Sequence, residues 1–111
     1  MTVRSDLLYQ GTFMSGVTGN TNLAVVPVGQ RWLVKSFAAF RTGIGNDVSS
    51  FGLRIPAAPS AEFVWVGQYS AQGFVSQNGL WFIAQAGTTL TWGTTLAGTI
   101  ALTISGTRFA V

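Results

Sequence analysis

The run Gly98-Thr99-Ile100-Ala101-Leu102-Thr103-Ile104-Ser105-Gly106-Thr107-Arg108-Phe109 decides the fold class. Ile100, Leu102 and Ile104 fall on one side of an extended chain, and Thr99, Ala101, Thr103, Ser105 and Thr107 on the other. Successive side chains of a strand point to opposite faces, so strict alternation with β-branched residues marks a half-buried β-strand. A helix would want an apolar stripe at spacings of three and four, which this alternation does not build.

Working back along the chain, residues 31–41 form a second strand. Trp32, Val34, Ser36, Ala38 and Phe40 share one expected face, and Leu33, Lys35, Phe37, Ala39 and Arg41 the other. Val26-Pro27-Val28-Gly29-Gln30 precedes it, and the Pro and Gly placement suits a tight turn fed by a strand at 22–26. In 48–55, Phe51, Leu53 and Ile55 are expected inward, with Ser50 and Arg54 outward. Pro56 and Pro59 close that strand, because proline cannot continue a central ladder. Strands at 62–69, 80–84 and 89–92, with an opening strand at 7–14, bring the expected total to about eight. In 62–69, Phe63, Trp65 and Tyr69 are read as the inward side. Gly, Thr, Ser and Asn punctuate the chain about every ten residues, a rhythm of all-β folds. The expected fold is a single-domain antiparallel β-sandwich of jelly-roll type over residues 1–111, with 1–6 as a short N-terminal arm.

Composition narrows the chemistry. The 111 residues hold no His and no Cys. That excludes a Cys/His zinc site, a disulfide scaffold, a thiol nucleophile and an imidazole base from this chain. No cofactor and no metal are expected. The three carboxylates, Asp6, Asp47 and Glu62, are far apart, and hydrolysis by Asp47 with Glu62 would need them within about 10 Å. Gly43-Ile44-Gly45-Asn46 reads as a turn rather than a phosphate cradle, since no helix follows. Six scattered cations give a net charge of +3 without a basic run, so no nucleic-acid partner is expected. No stretch is apolar enough to span a membrane, and the segment from Met1 to Leu8 lacks the continuous apolar core of a signal peptide.

Charge is the anomaly. Only 8% of residues are charged while 48% are hydrophobic, against about 25% charged in an ordinary soluble chain. Apolar side chains also stand on both faces of several strands: Leu33 and Phe37 opposite Trp32 and Val34, and Trp81 and Ile83 opposite Leu80 and Phe82. One core between two sheets needs one face of each strand. The second face is expected to meet another protein surface.

The stretch Gly11-Thr12-Phe13, followed by Ala24-Val25-Val26-Pro27-Val28-Gly29-Gln30-Arg31-Trp32-Leu33-Val34-Lys35-Ser36-Phe37, resembles small structural proteins of tailed bacteriophages. Gln30 stands where those proteins carry a basic residue, with Arg31 beside it. Ala86-Gly87-Thr88-Thr89-Leu90-Thr91-Trp92 is similar to their alanine-glycine-aspartate strand entry, with Thr88 in the acidic place. Thr103-Ile104-Ser105-Gly106 is similar to their closing strand. The resemblance implies a virion protein, made in the host cytoplasm, without enzymatic activity. It would be a capsid decoration or minor capsid protein that contacts copies of itself and major capsid proteins, or else a minor tail or tail-tip component. Phe37, Arg41, Trp81 and Phe82 are the interface candidates. A carbohydrate-binding module is the alternative of a different class, with Trp65, Tyr69, Trp81 and Trp92 as stacking rings; core duty weighs against Trp65 and Trp92.

Overall fold

The alternating C-terminal run becomes β9 (Gly98–Ala110), and it lies inside a sheet, pairing antiparallel with β1 (Asp6–Ser15) on one side and β3 (Gln30–Thr42) on the other. A computed structural model of the chain describes residues 6–15, 19–42, 48–56, 62–68, 73–94 and 98–110. Ile100, Leu102 and Ile104 are all sealed from solvent on the inner face of β9, as the alternation requires.

The remaining strands are β2 (Gly19–Val25), β4 (Val48–Arg54), β5 (Glu62–Gln68), β6 (Phe74–Gln77), β7 (Phe82–Ala84) and β8 (Thr89–Thr94). One sheet runs β1-β9-β3-β6, with β7 also paired to β3; the other runs β2-β8-β4-β5. β6 and β7 lie end to end along the same strand, opposite Phe37–Phe40 and Trp32–Val34 respectively. Taken as two halves of one interrupted edge strand, they complete the eight-position double sheet of a jelly roll. The apolar run at 80–84 marks β7, whereas β6 carries no such signal. Phe74-Val75-Ser76-Gln77 is four residues long and sits on an edge, too short for alternation to register.

Two tight turns carry the chain between sheets. Gln30 N–H donates to Pro27 O (3.1 Å) and Thr88 N–H to Gln85 O (3.0 Å). Gly29 (φ 84°) and Gly87 (φ 86°) take the left-handed third position of each turn. The turns are stitched together, since Val26 N–H donates to Thr88 O and Gly87 N–H to Val26 O, each at 2.9 Å.

The core centres on an aromatic cluster. Phe37 meets Phe51, Trp65 and Trp92 edge to face, at centroid separations of 5.6, 5.0 and 5.3 Å, and Trp65 stacks on Trp92 at 6.0 Å. Such pairs add about 0.5–1.5 kcal/mol each beyond the area they bury. β8 is buried along its whole length. Its outer side is roofed where Arg54 Nη2 donates to Asn22 Oδ1 (3.0 Å), since those residues sit on the strands flanking β8.

Four expectations about placement change. Asp6 is not part of an arm but already pairs with Gly106. Ile55, expected inward, is 57% exposed beyond the end of β4. The two-face division of 31–41 fails at its centre, because β3 pairs Val34 with Gly106 and Ser36 with Ser105, leaving Lys35 as a bulge. One extra residue swaps the faces beyond it. Trp32 and Val34 therefore point inward before the bulge, and Phe37, Ala39 and Arg41 after it. Finally, Val64 is an extra residue in β5, packed against the core rather than facing away. The expectations for Asp47, for the 43–46 turn, for Tyr69 and for the side chain of Phe63 fall outside the described residues.

Candidate interaction surface

The Lys35 bulge has a counterpart across the ladder. Where β3 gains its extra residue, the edge strand beside it is broken between Gln77 and Phe82. The two irregularities are joined by a single backbone bond, Leu80 N–H to Lys35 O at 2.9 Å. Gly79 (φ 76°) lets the chain turn there. Leu80 is buried at 8% exposure, while the next residue, Trp81, stands 69% exposed. Lys35 Nζ lies 5.6 Å from the centroid of the Trp81 ring, within cation–π range. A buried leucine below and an ammonium above thus hold an indole out in solvent.

Exposed apolar side chains stand to either side of this indole. Opposed residues of antiparallel strands share a face. Phe40 opposes Phe74 on the outer face of the β1-β9-β3 sheet, and the two are 45% and 47% exposed. Leu33 opposes Ile83, which is 56% exposed. Between these two pairs, about 23 Å apart at the usual rise per residue, the outward residues of β3 are Lys35, Ser36 and Ala38, and Ser76 opposes Ala38.

Around the corner, between β4 and β5 of one sheet and β7 of the other, lies a cleft of about 470 Å³. Leu53, Ile55, Val64, Phe82 and Ile83 give it apolar walls, and Glu62, Gln85 and Thr88 are its polar members. On the opposite side of the sandwich Tyr9 packs half-buried on the core, and burial raises its phenol above the ordinary value.

The four interface candidates separate. Trp81 is the most exposed aromatic on the outer sheet face, and Phe82 lines the cleft half-buried. Phe37, at 2% exposure, has its ring enclosed by the core cluster and offers no surface to a partner. Arg41, at 6%, is turned to the inner side by the same bulge, and its N–H donates to Gly73 O at 2.8 Å. Both expectations are corrected for one reason: the register shift at Lys35. Lys35, Phe40, Phe74 and Ile83 belong to the surface instead. The polar pair Lys35-Ser36 inside an apolar run was the available signal of a shift. Of the proposed sugar-stacking rings, Trp92 is fully buried and Trp65 stacks within the core. Among the described residues Glu62 lines the cleft without a second carboxylate beside it.

No family model matches the chain, and no curated protein does. A solved structure does match in fold: a chain from the acidic stable capsid structure of Helicobacter pylori bacteriophage KHP30, with a TM-score of 0.52 at 9% identity, covering 97% of this chain and 98% of that one.

Proposed function

We propose that this protein is a non-enzymatic structural subunit of a bacteriophage particle, incorporated in many copies as a capsid decoration or minor capsid protein. The observation that carries the reading is the outer sheet face on which Phe40, Phe74, Trp81 and Ile83 are exposed beside half-buried Leu33, in a chain with only 8% charged residues. Two exposed apolar clusters on one sheet face, Phe40 with Phe74 and Trp81 with Ile83, are covered when a subunit packs among neighbours. The end-to-end fold likeness to a chain of a phage capsid supports the same reading. So does the order of the turn and strand motifs along the sequence.

Quantitative mass spectrometry of purified particles tests it. Hundreds of copies per particle are expected for a shell component. A handful would move the protein to the tail, and its absence from washed particles would overturn the reading.

A further inference from the structure

We infer that a second copy of this chain docks across the β7 edge, with Trp81 of each copy seated in the Leu53/Val64/Phe82 cleft of the other and Lys35 paired with Glu62 of the partner subunit. This rests on the reading of the protein as a repeated structural subunit and names the contact between its copies.

The two halves of the contact are adjacent on one molecule. Trp81 precedes Phe82, which is itself a wall of the cleft, and Ile83 belongs to both the outer sheet face and the cleft. A two-fold contact requires one self-complementary patch in which knob and hole lie side by side. This edge supplies them.

Their chemistry is complementary as well. The knob is an indole carrying an ammonium 5.6 Å from its ring centre. The cleft is an apolar trough bearing one carboxylate, Glu62. In a chain with three acidic residues in all, a lone Glu at an apolar cleft and a lone Lys on an exposed Trp are sufficient to set orientation. The volume, about 470 Å³, lies in the range of roughly 300–1,000 Å³ that accommodates a compact organic group. Trp81, Ile83 and Ile55, exposed at 69%, 56% and 57%, would be covered together. The knob is held in place before docking by Leu80 and the Lys35 carbonyl, so little ordering remains to be done on contact.

The test uses the intact chain and two charge reversals. Lys35→Glu gives a molecule with two acidic partners at the contact, and Glu62→Lys one with two basic partners. Sedimentation velocity over about 1 µM to 1 mM should show self-association of wild type. Each reversal alone should weaken it by about tenfold or more, because like charges then face each other. Mixing the two variants should restore it, since every Lys then meets a Glu. Trp81→Ala should weaken it by about thirtyfold or more, and circular dichroism confirms that each variant is folded. Association that survives all three substitutions, or reversals that fail to rescue one another, overturns this contact and leaves the particle role standing. A wild-type chain that stays monomeric yet binds purified shells has the same consequence. A chain that does neither overturns both.

Discussion

Gly106 of β9 lies so close beneath Leu33 of β3 that a Cβ there would collide with the Leu33 carbonyl oxygen, and it would stand 2.9 Å from Leu8 Cδ1. The crowding has a cause in the ladder. β3 gains an extra residue at Lys35, between the partners of Gly106 and Ser105, and β1 gains one at Leu8, between the partners of Ser105 and Ile104. Two bulges thus flank one short stretch of the central strand. Gly106→Ala is expected to cost about 3 kcal/mol, the range of an overpacked core, measured by urea unfolding. The same substitution at Gly29, where a Cβ would meet nothing within 4 Å, should cost less than half of that. Equal costs would mean that the bulges do not depend on the glycine.

The bulges also mark where the sequence stops being legible. β9 was readable because Ile100, Leu102 and Ile104 keep one parity from end to end. β3 was readable as a strand but not as a surface, since the parity rule assigned Phe37 and Arg41 to the wrong side of Lys35. A bulge leaves no compositional trace beyond a polar pair in an apolar run. The cleft was invisible for a different reason: it joins Leu53 of β4 and Val64 of β5 to Phe82 and Ile83 of β7, strands of different sheets. Only the closure of the sandwich brings them together. Trp81 was found because its neighbours Leu80 and Phe82 alternate with it cleanly, with no bulge between.

The two inter-sheet turns offer a controlled comparison. Gly29 and Gly87 have nearly equal φ, 84° and 86°. A Cβ at Gly29 would meet nothing within 4 Å, whereas one at Gly87 would stand 2.8 Å from Pro56 Cγ. Gly29→Ala should therefore cost about 1 kcal/mol, the cost of a left-handed backbone alone. Gly87→Ala should cost about 2–3 kcal/mol, because a close contact is added to the same backbone term. Thermal unfolding of both variants gives the difference. A smaller loss at Gly87 than at Gly29 would mean that the Pro56 ring gives way freely.

Tyr9 lowers stability on the alkaline side. Burial raises its phenol above the ordinary value of 10.0, so the folded state holds this proton more tightly than the unfolded chain does. Its contribution is fully present below pH 10 and is lost as pH rises through the folded value. Stability should therefore fall across that window, and Tyr9→Phe should make the fall shallower while leaving the neutral-pH region nearly unchanged. Chemical unfolding in steps from pH 8 upward reads both slopes. Identical slopes would show that the phenol ionises as freely in the folded chain as in the unfolded one.

The sequence offers Phe37 and Trp81 alike as interface candidates, and the structure gives them opposite surroundings. Phe37 is 2% exposed at the meeting point of three other aromatic rings, so Phe37→Ala opens a cavity that rigid sheets cannot close. The expected cost is about 3–5 kcal/mol. Trp81 is 69% exposed, and truncation removes its contact with Lys35, a change of about 1 kcal/mol or less in the dilute monomer. Fluorescence separates the two without relying on stability. Trp32 and Trp92 are buried at 5% and 0%, and Trp65 is half-buried against Phe37 and Trp92. Acrylamide should therefore quench chiefly Trp81, and Trp81→Ala should remove most of the quenchable emission. If wild type self-associates through this indole, its quenching should also fall as protein concentration rises. Quenching that persists undiminished in Trp81→Ala would mean that the core tryptophans are open to solvent, and the division between the two residues would fail.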